Sequence, residues 1–151
     1  MPGLNQNEIR SILPQAYPFL MLDRVEDYQE GERLTAVKNI SADEWPFTTR
    51  HMSQVTRHTR PGAFPNTLLI EAAAQAALVL YHVAKIKDSG RRPQYFIGKI
   101  DSEFFEPAVI GETLRIAVTA GKLLDSGGYA NVEITAADAP KAKIELFFSV
   151  Q

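Results

Sequence analysis

The chain has 151 residues, 45% of them hydrophobic, and a formal net charge of −2. This length suits one domain with a hydrophobic core, and so small a charge gives no field to attract nucleic acid or an anionic membrane. The absence of cysteine excludes disulfides, thiolate metal sites and cysteine nucleophiles. The three histidines are scattered without ligand spacing, so we expect neither a metal nor another cofactor.

The N-terminal segment is polar. "MPGLNQNEIRSILP" contains no apolar stretch of the kind found in secretory signals, which predicts a cytoplasmic protein. Within it, Asn5 to Leu13 suits a short helix that Pro14 stops.

Two strands and a long loop follow. "FLMLDRVEDYQ" (19–29) and "RLTAVKNIS" (33–41) predict a hairpin that turns at "EGE" (30–32). Residues 42–65 are polar, contain proline and show no clear period, which predicts a long loop. In a compact domain such a loop more often carries function than not.

An apolar helix is predicted after the loop, with Pro65 just ahead of it, Asn66 as its N-cap and an end near Ile86. A helix that is apolar on all sides must be surrounded by other elements. It is nearly long enough to cross a membrane. Its internal Glu71 and Gln75, and the ordinary strands around it, favour a buried helix and no membrane span.

The C-terminal part reads as strands. The segments are "QYFIGKIDSEF" (94–104), "TLRIAVTAG" (113–121), "YANVEITAA" (129–137) and "KAKIELFFSV" (141–150), with turns at "DSGG" (125–128) and "ADAP" (137–140). One long helix with five to six antiparallel strands predicts a single α+β domain over residues 1–151. A sheet wrapped around one central helix is the hotdog arrangement, and an apolar edge left over predicts a homodimer.

Glu71 is the one carboxylate inside the apolar helix. At about 3.6 residues per turn, Glu71 and Gln75 share a face, and His82 falls on nearly the same line. One interpretation has backbone N–H groups or an arginine satisfying Glu71 near the helix N-terminus. The other places it beside a mostly apolar pocket, where a carboxylic acid has a raised pKa and can donate a proton near neutral pH. Spacing alone favours the first.

Four ordered blocks of the chain resemble a known family. The blocks are "LPQAYPFLMLDRV" (13–25), "VKNISADE" (37–44), "FPNTLLIEAAAQ" (64–75) and "YFIGKIDSEFFEPAVIGE" (95–112). They are similar to the beta-hydroxyacyl-acyl carrier protein dehydratases of bacterial fatty acid synthesis, and the similarity extends over residues 8–118. The resemblance implies the hotdog fold and a dehydratase acting on an acyl carrier protein or coenzyme A thioester.

The resemblance also implies roles for residues. In the family, the carboxyl group that matches Glu71 helps the C3 hydroxyl of a 3-hydroxyacyl thioester leave as water. A histidine from the preceding loop of the other subunit takes the C2 proton. Backbone N–H groups at the helix N-terminus, here near Pro65 and Asn66, hold the thioester carbonyl.

The histidine is where this chain departs from the family. The family places it in a Gly-His-Phe-Pro motif that this chain lacks, and the loop offers His51 and His58 instead. His58 lies thirteen residues before Glu71, close to the family spacing, so we prefer it to His51. The alternative is that both are surface histidines and the acid–base pair has been lost.

The matching blocks suggest further substrate-binding residues. Tyr17, Phe19 and Met21 are candidates for lining or gating an acyl tunnel, with plain core packing as the alternative. Gln75 matches a helix glutamine that orients the active-site groups, and its alternative is a hydrogen bond to a neighbouring strand carbonyl.

Three functions remain open at this point. The first is the dehydratase, and the altered loop suggests a specialised fatty acid or polyketide-like pathway, such as an aryl polyene. The second is a hotdog acyl thioesterase in which Glu71 activates water. The third is a non-catalytic acyl-binding subunit. An acidic carrier protein would need cations for docking, for which the candidates are Arg50, Arg57, Arg60, Arg91 and Arg92.

Overall fold

One six-stranded sheet wraps around one long helix. The computed structural model describes residues 2–48 and 62–151. The elements are α1 (Gln6–Ile12), β1 (Arg24–Gln29), β2 (Arg33–Asn39), α2 (Trp45–Thr48), α3 (Asn66–Tyr81) with a π-helical extension (His82–Ile86), β3 (Tyr95–Phe104), β4 (Thr113–Leu124), β5 (Gly127–Ala136) and β6 (Ala139–Val150). The predicted α+β hotdog arrangement is confirmed.

The strand order places β1 and β3 at the two edges. It reads β1-β2-β4-β5-β6-β3, and all the pairs are antiparallel. The predicted hairpin turns at 30–32, 125–128 and 137–140 each lie at a strand junction. The α3 helix belongs to the long connection between β2 and β3, which lets it cross the inner face of the sheet.

The core forms between α3 and the inner face of the central strands. Alternate residues of β4, namely Leu114, Ile116 and Val118, are buried as their period of two predicts. The same alternation buries three residues each on β5 and β6, which are Ala130, Val132, Ile134, Ile144, Leu146 and Phe148.

The apolar helix is a core helix. The stretch Asn66–Ile86 contains an 18-residue window with a mean hydropathy of 1.5, enough by length and composition for a membrane span, but 67% of that window is buried inside the protein. Alanines at its centre, such as Ala72, Ala73 and Ala76, are fully covered. Their small side chains let the sheet approach the helix closely.

Three local expectations were wrong. Pro65, not Asn66, is the N-cap of α3, and Asn66 is the first helical residue. The Pro65 carbonyl accepts from the N–H groups of Leu68 and Leu69, at 3.0 and 3.2 Å, so the helical ladder begins there without a side-chain cap. Strand β1 begins at Arg24 and not at residue 19, because a side chain of α3 takes the backbone bonds of residues 19–21.

The third concerns the long loop, which is not entirely irregular. Residues Trp45–Thr48 form one helical turn near its start. Residues 49–61 lie outside the part of the chain that the structure describes.

Candidate active site

Glu71 and Gln75 form a hydrogen-bonded pair on successive turns of α3. The Gln75 side-chain amide donates to Glu71 Oε1 at 2.8 Å. Glu71 is half-buried, and none of the ion pairs among the described residues includes it. Gln75 therefore orients the carboxyl group, and no cation of the described chain neutralises it, as a group that exchanges protons would require.

Gln75 is itself held by the segment before β1. It is completely buried, its Oε1 accepts from the N–H of Met21 at 2.8 Å, and its Nε2 also donates to the carbonyl of Phe19 at 2.6 Å. Gln75 thus hydrogen-bonds both to the carboxyl group of Glu71 and to two backbone groups. The backbone it satisfies belongs to an irregular segment and not to a strand.

A mostly apolar cavity opens beside Glu71. Its volume is about 360 Å³. Glu71, Ala74 and Leu78 line it from α3, because residues three or four apart share a helix face. The remaining lining residues are Pro14, Gln15, Pro93, Gln94, Tyr95, Phe96 and Ile97. An extended aliphatic chain could lie along this wall with its polar end at Glu71.

Two polar groups in the cavity wall are buried without a hydrogen-bond partner among the described residues. They are Gln15 Oε1 and the Tyr95 hydroxyl. Burial, with a smaller contribution from neighbouring Tyr81, raises the pKa of Tyr95 to about 12, so its hydroxyl is neutral at physiological pH.

The predicted tunnel residues lie apart from this cavity wall. Met21 is buried in the core, whereas Tyr17 is 90% and Phe19 is 51% exposed. The Phe19 ring packs edge-on against Trp45 with ring centroids 5.6 Å apart, and Trp45 Nε1 donates to the carbonyl of Pro18. Phe19 therefore packs at the surface against the first residue of α2, away from the cavity beside Glu71.

The other predicted site residues fall into two groups. Pro65 and Asn66 lie at the start of α3, where helix N–H groups lack intrahelical acceptors. His51 and His58 lie outside the described residues, as do Arg50, Arg57 and Arg60.

His82 lies in a different cavity from Glu71. That cavity lies between α1 and the end of α3, and Ser11 and Ile12 contribute to its wall. His82 Nδ1 is buried without a partner among the described residues, and burial lowers the pKa of His82, an effect that Asp88 partly offsets. The polar face predicted along the helix is therefore divided, with Glu71 and His82 in two separate cavities.

Sequence reasoning missed most of the cavity wall. Spacings of three and seven residues from Glu71 point to Ala74 and Leu78, and that signal was available. Tyr95 and Ile97 come from β3, and no local pattern connects that strand to Glu71.

Comparison with sequence families supports the resemblance. The model of the FabA-like domain family matches residues 13–139. Curated relatives named 3-hydroxyacyl-[acyl-carrier-protein] dehydratase FabZ include one from Geotalea uraniireducens, 33% identical, covering 91% of this chain and 98% of the relative. Another, from Desulforamulus reducens, is 34% identical and covers 97% of each.

Solved structures with the same fold are more distant in sequence. The dehydratase heterocomplex ApeI:P from Xenorhabdus doucetiae has a TM-score of 0.77 at 16% identity, over 95% of this chain and 90% of that one. A mutant thioesterase from Pseudomonas aeruginosa has a TM-score of 0.67 at 11% identity, over 97% and 93%. At these identities the likeness shows the fold alone.

Proposed function

The chain belongs to the FabA-like domain family. We propose that Glu71 and a histidine from residues 49–61 together catalyse a dehydratase reaction. The protein is a 3-hydroxyacyl-[acyl-carrier-protein] dehydratase. The observation that carries the assignment of the site is the carboxyl group of Glu71, oriented by Gln75 at the mouth of an apolar cavity.

The chemistry needs a base and an acid on the same substrate. His58, or alternatively His51, removes the C2 proton of a 3-hydroxyacyl thioester. The C3 hydroxyl then leaves as water with a proton from Glu71, and a double bond forms between C2 and C3. Each proton transfer by a well-placed group contributes about 10²- to 10⁴-fold to the rate.

The cavity wall explains why an acyl chain would be the substrate. Ala74, Leu78 and Ile97 offer apolar surface next to the carboxyl group, and burying each methylene contributes about 0.8 kcal/mol. Near Pro65 and Asn66, the free N–H groups at the helix N-terminus would hold the thioester carbonyl.

The active unit is a homodimer formed along β3. Ile97 and Ile100 pair with the buried Phe148 and Leu146 of β6, so they lie on the inner face of the sheet. Yet they are 39% and 41% exposed, so the described chain leaves this part of the edge strand uncovered. Apolar residues on an unpaired edge strand favour pairing with a second chain. Since Ile97 also lines the cavity, the site would lie at the junction of two subunits.

The oligomeric state can be measured directly. The double variant Ile97→Lys/Ile100→Lys should give a monomer in native mass spectrometry and lose turnover. Leu124→Lys is the matched control, because Leu124 is 48% exposed on β4, which β5 and β6 separate from β3 in the sheet, and it should remain dimeric. A wild-type monomer at assay concentrations, active in that state, would contradict the dimer.

The acyl group arrives on an acyl carrier protein, in the cytoplasm. Arg91 and Arg92 are exposed in the described chain and could meet the acidic surface of such a carrier. The departure from the family's histidine motif favours a specialised pathway with fatty acid-like or polyketide-like acyl chains. A panel of carrier-bound substrates of differing chain structure would identify the preferred one.

The assay also separates the three functions considered. Purified protein is incubated with a 3-hydroxyacyl thioester on an acyl carrier protein, and the products are read by mass spectrometry. A 2-enoyl thioester is the expected product. Release of free acid and thiol would identify a thioesterase, and retention of unchanged substrate would identify a binding subunit.

A further inference from the structure

Two lysines are buried in the described chain, and both lie away from the cavity. Lys38 on β2 and Lys141 on β6 are each 4% exposed. A buried ammonium group costs several kcal/mol unless it is paired, and an apolar residue in its place is often equally stable. Their presence therefore calls for an explanation beyond core stability.

Lys38 fixes the chain that leaves β2. Its Nζ lies 2.8 Å from Glu44 Oε2, and the other oxygen of Glu44 accepts from the N–H of Ser41 at 2.9 Å. The pair thus closes the turn that leads into α2. Lys38 Nζ also lies 5.3 Å from the centroid of the Phe64 ring, and that ring contacts Phe47 at 6.2 Å.

Lys141 makes the same kind of arrangement from β6. Its Nζ lies 3.1 Å from Glu112 Oε2, while Glu112 Oε1 accepts from the N–H of Val109 at 2.8 Å. Lys141 also donates to the carbonyl of Pro107 at 3.0 Å, and Glu106 lies 3.7 Å away. The loop between β3 and β4 is therefore held by one buried cation.

That loop in turn holds the chain that enters α3. The N–H of Phe64 donates to the carbonyl of Ala108 at 2.7 Å, and the N–H of Ile110 donates to the carbonyl of Gly62 at 3.0 Å. The Ile40 backbone connects the two arrangements, since it donates to the Glu112 carbonyl and accepts from the Gly111 N–H.

We propose that Lys38 and Lys141 are positioning residues for the segment that carries His51 and His58. Through Glu44 and Glu112 they fix the two points, at Phe47 and at Gly62–Phe64, where residues 49–61 leave and rejoin the described fold. This inference rests on the proposed function, since positioning matters for turnover only if a histidine of that segment acts on the substrate.

The test replaces each lysine by an apolar residue of similar length. Lys38→Met and Lys141→Met should lower kcat by about 10- to 10²-fold, as expected for a displaced catalytic group. KM should stay within about twofold, because the acyl cavity is untouched. Lys143→Met is the matched control, since Lys143 lies two residues further along β6 with its side chain 61% exposed, and its kcat should equal that of the wild type.

A second readout does not depend on catalysis. Trypsin cleaves after Arg50 and Arg57, both within residues 49–61, whereas the bond after Arg60 precedes Pro61 and resists trypsin. Cleavage there should be faster in both methionine variants, while cleavage after Arg115, inside β4, should be unchanged. If a methionine variant does not fold, kcat and the cleavage rate are measured on Glu44→Gln and Glu112→Gln instead.

The outcomes are distinct. Folded variants with wild-type kcat and wild-type cleavage in residues 49–61 would overturn the positioning role. A lower melting temperature without either change would show that the lysines serve stability only, and would overturn it as well. If the wild-type protein forms no enoyl product, the proposed function fails, and the cleavage rates still decide whether the lysines fix the segment.

Discussion

The two halves of the apolar helix Asn66–Ile86 present polar groups in opposite ways. In the N-terminal half, Glu71 and Gln75 are joined by a hydrogen bond, and Glu71 lines an apolar cavity. In the C-terminal half, His82 begins a π-helical turn, and its Nδ1 is buried without a partner among the described residues. In the sequence all three are lone polar residues on an apolar helix, at positions that share one line.

The difference comes from what packs against each half. The segment before β1 gives Gln75 two backbone partners, and β3 supplies the cavity wall beside Glu71. Near His82 the neighbours come from α1, from β1 with the turn that follows it, and from the end of the helix itself. A polar residue on a buried helix therefore acquires a role only from the partners that the fold brings to it.

The largest expected effect tests the Glu71 half directly. Glu71→Gln removes the exchangeable proton but keeps the size of the side chain, so enoyl formation should fall by about 10²- to 10⁴-fold. Initial rates with a carrier-bound 3-hydroxyacyl substrate measure it. The matched variant in the other half, His82→Gln, should retain turnover within about twofold. Unchanged turnover in Glu71→Gln would remove Glu71 from every catalytic role discussed above.

The next effect tests whether Gln75 holds the segment before β1 against α3. Gln75→Leu leaves the N–H of Met21 and the carbonyl of Phe19 without their partner, and each buried unsatisfied group costs about 1–3 kcal/mol. The free energy of unfolding in urea should fall by roughly 2–5 kcal/mol.

The control for that variant is Thr35→Val. Thr35 is also buried, but its described side-chain contact is one long bond of 3.3 Å from Arg115. A loss of stability in Gln75→Leu no larger than in Thr35→Val would mean that the segment before β1 does not depend on the helix glutamine.

A smaller effect probes the cavity. Ala74→Phe adds a ring to its wall, so long acyl chains should be turned over less well relative to short ones, by about 10-fold. The ratio of kcat/KM for a long and a short substrate measures this selectivity. Ala117→Phe, on a partly exposed position of β4, should leave the ratio unchanged. Equal losses for both chain lengths in Ala74→Phe would place the acyl chain elsewhere.

The smallest effect belongs to the His82 half. Because burial lowers the pKa of His82 in the folded protein, the unfolded chain binds a proton first as the pH falls below about 6.5. Stability from this group is therefore present above that pH and lost as the pH falls toward the folded-state pKa. The charged residues that line the same cavity are Glu8, Glu30, Lys87 and Asp88.

Melting temperatures between neutral and mildly acidic pH test this. Wild type should lose more stability on acidification than His82→Gln, which cannot titrate at that position. Parallel curves for the two proteins would mean that His82 is equally basic in the folded and unfolded chains.

The sequence alone determined the elements whose signal is local. Alternation in "TLRIAVTAG" and "KAKIELFFSV" predicted β4 and β6 and their buried faces, because side chains of a strand alternate between its two sides. The unbroken apolar run predicted a surrounded helix. The four ordered blocks indicated the family, and so the carboxyl group at position 71.

The tertiary structure alone decided which groups meet. Gln75 finds its partners more than fifty positions earlier in the chain, and this contact stops β1 from beginning at residue 19. The sequence of β3 predicts a strand, but not that Ile97 and Ile100 would stay partly exposed on its inner face. Burial of Lys38 and Lys141 likewise depends on loops that are distant in sequence. Periodicity reports how one element divides its residues between two sides, whereas the identity of the neighbour depends on the packing of all elements together.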